Sequence, residues 1–370
     1  MRTVMHIAQA PGGVERYLQM LLKYFDKKEF RHILVLSQDY DFEKFKGLAD
    51  SIECVGMYRS INLMNELKAA WKVRKLIKKY KPDIVYMHST KAGVIGRIAN
   101  FGIKNVSVYN PHGWAFNMKC GEKKQRIYAA IERLFAPLCT QIVAISDYEK
   151  ESAAKRHICN AAKIQVIYNG IDFKEYPEDR VYPTREELCI PKKAFVVGTV
   201  GRLDKQKAPD VFVKSAEIIK KEIPNAFFVM VGNGSQETEI LQMIAEKGLK
   251  DSFLITGWKK NPYDYINEFD IAMLLSRWEG FGLALPEYMF FGKPIVATKV
   301  DAIPNIIEDE VNGLLVEMDD YISAAERVIE IYSNTKLKEK LILNGKEQAK
   351  KRFDAKRVSE EHENLFRRLI

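Results

Sequence analysis

No stretch of this 370-residue chain holds the roughly 20 consecutive apolar residues that a membrane-spanning helix needs. Cysteine is sparse: Cys54, Cys120, Cys139, Cys159 and Cys189 are scattered, odd in number and never in C-x-x-C spacing. That excludes a disulfide scaffold and a cysteine-based metal site, and it suits free thiols in a reducing compartment. Internal repeats and low-complexity segments are also lacking. The first residues, Thr3-Val4-Met5-His6-Ile7-Ala8, read as a strand and not as a leader, so no signal peptide is expected and the expected location is cytoplasmic. A G-x-G-x-x-G nicotinamide fingerprint is missing after that strand. What the chain does have is apolar content: 47% hydrophobic residues is ample for buried cores, and the length suggests two domains.

Charge is unevenly placed. Residues 1–180 carry 30 Lys and Arg against 19 Asp and Glu, whereas residues 181–370 carry 28 against 30. A basic first half beside a near-neutral second half implies surfaces with different partners: anionic lipid, lipid-linked phosphate or nucleic acid for the first. Nucleic acid is not expected, because the basic segments lack interleaved aromatics or a known module. The stretch Asn62–Lys81 reads as a basic amphipathic helix. Leu63, Leu67, Ala70, Trp71, Leu76, Ile77 and Tyr80 form its apolar side; Lys68, Lys72, Arg74, Lys75, Lys78, Lys79 and Lys81 supply the charge. It suits either an ordinary helix packed on its sheet or one that also lies on an anionic membrane. Lys119 to Arg133 shares that logic.

Short β-rich runs alternate with helical patterns twice over, which predicts two doubly wound parallel sheets. The first-half strands are predicted at 3–8, 33–36, 52–55, 84–88, 106–110, 142–145 and 165–168. The second-half strands are predicted at 195–200, 226–231, 253–256, 271–275, 294–297 and 313–316. A polar linker at about 172–193, with Pro177, Pro183 and Pro191, separates them. The expected organisation is a first domain over 1–175, a second over 176–353, and a C-terminal helix at 354–370 crossing back to the first.

The candidate site residues fall at predicted strand ends. Glu279 and Glu287 bracket Glu279-Gly-Phe-Gly-Leu-Ala-Leu-Pro-Glu287, after the strand Ile271–Leu275 and running into the next helix. A helix start offers free N–H groups, and two carboxylates can accept hydrogen bonds from vicinal hydroxyls, so the pattern suits a nucleotide-sugar. Gly201-Arg202-Leu203-Asp204-Lys205-Gln206-Lys207 sets two cations just past another strand, where ligands of open α/β sheets bind. Gly232 and Gly257 end two further strands and permit close backbone approach, and Trp258 suits either a stacked base or plain packing. Gly12-Gly13 precede the first helix and fit a turn or a phosphate approach. His112, in Asn110-Pro-His-Gly-Trp114, is poorly placed for core packing. His88 lies at a neighbouring strand end, but no third ligand with sensible spacing joins the two, so zinc is not expected. Asp39-Tyr-Asp41 mimics a metal-binding D-x-D in a charged loop without supporting residues.

Taken together these residues resemble the family 4 glycosyltransferases, retaining enzymes of GT-B fold with two Rossmann-like domains facing a cleft. The likeness is strongest over Val196–Val316, in Gly-Arg-Leu at 201–203, Ser276-Arg-Trp-Glu-Gly-Phe-Gly282, Gly292-Lys-Pro294 and Asn312-Gly-Leu-Leu315. Gly12-Gly13-Val-Glu15 and Ile167-Tyr-Asn-Gly-Ile-Asp172 also match. The resemblance implies that Glu287 binds ribose hydroxyls. Glu279 and the backbone of Gly280, Phe281, Gly282 and Leu283 would hold the donor sugar and diphosphate. Arg202 and Lys207 would neutralise the leaving diphosphate, Gly12 and Gly13 would meet it from the first domain, and His112 would contact the donor sugar. It further implies a metal-independent transfer from an NDP-sugar, UDP-linked by preference, to a glycan or lipid-linked acceptor in surface polysaccharide assembly, with no cofactor and with peripheral contact at the cytoplasmic membrane face. One departure is Asp301-Ala302-Ile303-Pro304-Asn305, where the family often has Gly-Gly before Ile-Pro-Glu. The rivals are another GT-B enzyme, such as an epimerase or a phosphorylase, and a non-catalytic scaffold subunit.

Overall fold

A computed structural model describes residues 1–58, 60, 62–176 and 180–370; Pro177 of the expected linker lies outside them. The chain forms two compact units. One comprises Met1–Asp172 with Asp354–Ile370, the other Phe173–Phe353.

In the first unit, seven strands form one parallel sheet: β1 (Arg2–Ala8), β2 (Phe30–Leu36), β3 (Ser51–Cys54), β4 (Ile84–His88), β5 (Val106–Asn110), β6 (Gln141–Ala144) and β7 (Ile164–Val166), in the order β3-β2-β1-β4-β5-β6-β7. The second unit has six: β8 (Phe195–Val200), β9 (Ala226–Val231), β10 (Phe253–Ile255), β11 (Ile271–Leu274), β12 (Ile295–Thr298) and β13 (Leu314–Val316), in the order β10-β9-β8-β11-β12-β13. Strands such as Ile-Val-Tyr-Met-His and Ala-Phe-Phe-Val-Met-Val are apolar on both faces because helices cover both sides, so they bury every residue. The predicted strands recur with ends shifted by up to three residues: β2 gains Phe30, Arg31 and His32, while β3, β6, β7, β10 and β11 stop one or two residues earlier than predicted.

In each sheet the strand order reverses once, between β1 and β4 and between β8 and β11. Loops leaving the carboxyl ends of strands at such a reversal diverge, and the crevice they leave is where open α/β sheets bind ligands. The loop after β1 carries Gly12-Gly13, those after β8 and β11 carry Arg202–Lys207 and Ser276–Leu283, and that after β5 carries His112.

The basic helix spans Leu63–Tyr80, started by Asn62, whose side chain accepts from the Met64 and Asn65 N–H groups. Its apolar residues do not form one buried side as the sequence suggests. Ala69, Ala70, Val73 and Ile77 are buried, whereas Leu63, Met64, Leu67 and Trp71 stay exposed. The buried stripe consists of small and β-branched residues that let the helix lie close on the sheet; the larger residues fall on the far side. Among the described residues no helix is long and apolar enough to cross a membrane.

Candidate functional site

In the second unit, the β8 and β11 loops bring their charged residues together. The Lys207 ammonium pairs with the Glu279 carboxylate, and Ser276 Oγ donates to the same oxygen at 3.2 Å. Glu279 is only 9% exposed, so this pairing gives a carboxylate poorly reached by water the donors it needs. Gln206 ties the loops, donating to the Trp278 carbonyl at 3.0 Å and accepting from Arg202 at 2.9 Å. Arg202 otherwise reaches Asp204 at 3.2 Å and leaves most of its side chain in solvent. The turn Gly280–Leu283 leads into the helix Ala284–Phe290, where Glu287 is buried. The neighbouring Tyr288 hydroxyl accepts the Val200 N–H at 2.7 Å, locking this helix to the end of β8.

Two glycines are dictated by space. At Gly232 (φ 143°) a Cβ would stand 2.0 Å from the Gly201 carbonyl oxygen. At Gly282 (φ 85°) it would crowd the Glu279 side chain at 3.2 Å. Gly232 also bridges Gly257, so three of the predicted glycines, Gly201, Gly232 and Gly257, form one backbone patch. Trp258 beside it is 71% exposed; plain packing does not describe it.

The departure at Asp301 has a structural reason. Asp301 takes a left-handed backbone (φ 47°), which Asp tolerates better than most residues, and its carboxylate accepts the Glu279 N–H at 2.9 Å. Asp301, Ser276 and Gln206 therefore fix the geometry of Glu279. Sequence reasoning missed all three, although their place in loops beside the E-x7-E run was visible.

In the first unit, Gly12 precedes the helix Gly13–Tyr24 with φ 102°. His112 also has a left-handed backbone (φ 53°), held by Asn110 Oδ1 accepting its N–H at 2.8 Å. The next turn is anchored by buried Trp114, whose backbone N–H and indole N–H both bond to Glu149, at 2.8 and 2.9 Å. His112 and His88 are in ring contact, Nε2 to Nδ1 at 2.9 Å. No third partner for this pair was visible from residue spacing, but the fold supplies one. His88 Nε2 meets His6 Nδ1 at 3.2 Å, and His6 Nε2 meets His32 Nδ1 at 3.1 Å. The rings alternate along β2, β1 and β4 on one sheet face, so the column crosses the sheet in strand order. Its nitrogens bond to one another and do not converge on a point, as metal ligation would require. A fifth ring, His362 of the helix Ala355–Leu369, sends Nδ1 to the Val358 carbonyl at 2.7 Å and takes the Tyr17 and Tyr86 hydroxyls on Nε2 at 2.9 and 3.0 Å. Burial pushes His112 down to about 3 and His32 and His362 to about 4, and holds His6 and His88 well below the usual histidine range. These rings are neutral at neutral pH.

Asp41 of the D-x-D look-alike caps a short helical turn by accepting the Glu43 N–H at 3.2 Å, and Tyr40 donates to the Ala10 carbonyl at 2.7 Å. Both contacts are structural.

Residues 11–175 match the family described as Glycosyltransferase Family 4, and residues 183–348 match Glycosyl transferases group 1. An Escherichia coli UDP-Gal:alpha-D-GlcNAc-diphosphoundecaprenol alpha-1,3-galactosyltransferase is 28% identical over 88% of this chain and 87% of its own. The Staphylococcus aureus capsular polysaccharide biosynthesis glycosyltransferase CapM is 25% identical over 93% and 92%. Among solved structures, Anabaena HepE in complex with UDP superposes with a TM-score of 0.84 over the full length of both chains at 22% identity.

Proposed function

Because the chain belongs to the family 4 glycosyltransferases and has their GT-B architecture, we propose that it is a retaining transferase taking its sugar from a UDP-sugar and passing it to a lipid-linked or glycan acceptor. It is a glycosyltransferase of polysaccharide biosynthesis. The observation that carries the finer reading is the Lys207–Glu279 pair at the strand reversal of the second unit, with Arg202 on the same loop as Lys207 and Glu287 buried in the helix that follows Glu279.

The chemistry follows from charge. Breaking the sugar–phosphate bond leaves negative charge on a diphosphate and an oxocarbenium-like sugar. Catalysis is then the stabilisation of that charge by fixed cations and N–H groups. Lys207 and Arg202 supply cations, and the Gly280–Leu283 turn supplies N–H groups at a helix start. A diphosphate arriving there would compete with Glu279 for Lys207, freeing the carboxylate to accept hydrogen bonds from sugar hydroxyls. Glu287 would take the ribose hydroxyls; Gly12, Gly13 and His112 would act from the first unit. The leaving phosphate oxygen would accept the acceptor's proton, so no separate base is required, and the cations do the work otherwise asked of a metal. We assign no cofactor.

Membrane contact is part of the proposal. Exposed Leu63, Leu67 and Trp71 recur every fourth residue on one helix, so they form a stripe, with Lys68, Lys72 and Lys75 on the same helix. Such a surface suits an acceptor held in an anionic leaflet and supports a location at the cytoplasmic membrane face.

The test is calorimetric titration with UDP, GDP, ADP and dTDP, each with and without EDTA. Micromolar binding of UDP that EDTA leaves unchanged is the expected result. Preference for another base would end the UDP assignment, loss of binding in EDTA would end the metal-free one, and no binding by any would sink the donor-site assignment.

A further inference from the structure

The histidine column has a property that each ring lacks alone. A neutral imidazole carries one N–H and one bare nitrogen, so in a row of rings bonded nitrogen to nitrogen every ring must hold its proton in the same sense. One sense runs from His32 through His6 and His88 to His112; the other runs back. They differ at the ends. His32 Nε2 is buried and has no hydrogen-bond partner among the described residues. His112, by contrast, is half-buried, and its Nδ1 is the open end of the column. The backward sense would put a proton on His32 Nε2, an orphaned N–H on a ring whose centroid lies 4.6 Å from that of Phe25. Orphaned buried N–H groups are the rarer fault in folded proteins, so the forward sense prevails.

We infer that His88 is a positioning residue: it donates its Nδ1–H to His112 Nε2, and with the column behind it holds His112 as the Nδ1–H tautomer, a hydrogen-bond donor at its open end. The ligand atom that His112 meets is then an acceptor, such as a hydroxyl or phosphate oxygen. The functional half of this inference rests on the proposed donor-sugar role of His112; the tautomer itself does not.

The proton positions can be read directly by long-range proton–nitrogen correlation spectra of the full-length protein labelled at its histidine rings, at neutral pH and without nucleotide. His362 is the internal reference, since its Nδ1 must donate to the Val358 carbonyl. The expected result is the Nδ1–H pattern for His112, His88 and His6. An Nε2–H pattern at His112, or opposite senses at His88 and His112, would overturn the inference whatever the variants do. His88→Phe removes the donor; His88→Gln keeps an N–H able to reach His112. The Phe variant should show mixed tautomers at His112 and lose about tenfold in kcat/KM, the equivalent of roughly one hydrogen bond, while the Gln variant recovers much of both. Unchanged kcat/KM in a folded His88→Phe protein would overturn the positioning role. Failure of the transferase reading is separately visible, as absence of nucleotide binding by the wild type.

Discussion

Acidification from about pH 7.5 to about pH 5 should unfold the first unit while sparing the second. All six histidines lie in the first unit, at positions 6, 32, 88, 112, 157 and 362, and residues 173–353 have none. Five of them are held neutral by burial. His112 has been moved from 6.5 to about 3 and His32 and His362 from 6.5 to about 4, while His6 and His88 also sit well below 6.5. The folded pKa values are depressed, so above 6.5 neither state binds these protons and stability is intact. Below it the unfolded chain takes protons that the fold refuses, and stability is lost progressively as pH falls toward about 4 and then about 3. At about pH 5 each ring costs roughly 2 kcal/mol, and the three with defined values together cost roughly 6 kcal/mol. That rivals the roughly 5–15 kcal/mol net stability of a typical domain. Nearby charges are already contained in these values: Asp50 favours protonation of His32, while Lys27 opposes it there and Arg357 opposes it at His362. Carboxylates with lowered values, such as Glu29 and Glu53, titrate below this window. The assay is urea unfolding across pH, followed by the fluorescence of buried Trp114 with Trp71, Trp258 and Trp278 replaced by Phe. A protein retaining only the part-buried Trp278 reports the second unit. A loss under roughly 1 kcal/mol in the first unit, or equal losses in both, would refute the reasoning.

Four further outcomes are expected. Glu287→Ala should weaken UDP binding roughly 10- to 100-fold in calorimetry, the worth of a charge-assisted hydrogen bond or two; an unchanged Kd would remove the ribose assignment. Arg202→Ala with Lys207→Ala should cut kcat at least about 100-fold and also lower Tm, because Glu279 loses its cation; near-full turnover in the folded variant would mean the phosphate clamp lies elsewhere. Gly232→Ala should destabilise the second unit by more than roughly 2 kcal/mol in urea melts, since its Cβ meets the Gly201 carbonyl; wild-type stability would show that the turn relaxes freely. Replacing Leu67 and Trp71 by Ser, with Lys72 and Lys75 to Gln, should reduce cosedimentation with anionic vesicles while leaving UDP binding intact; equal sedimentation would retire the membrane stripe.

Both sheets were legible in the sequence because buried parallel strands need largely apolar runs, and runs such as 84–88, 226–231 and 271–275 can be little else. The second unit's loops were legible for a related reason: Arg202, Lys207, Glu279 and Glu287 are charges set directly after such runs. The buried and exposed sides of the Leu63–Tyr80 helix were not legible, because hydropathy counts Trp71 and Leu67 as apolar without knowing which side meets the sheet. Asp301 read as a departure from pattern, since its carboxylate contact with the Glu279 N–H spans 22 residues of sequence.

Local patterns of residues account for the alternation of strand and helix, the strand-end placement of the charged loops and the likeness that names the family. Which residues meet is a matter of the fold. His6, His32 and His88 sit on strands far apart in the chain, and parallel pairing in the order β2-β1-β4 brings them into one line. Lys207 and Glu279 likewise pair only because β8 and β11 lie side by side where the sheet reverses. Strand order is set by long-range packing of whole faces, and no local pattern of residues encodes it.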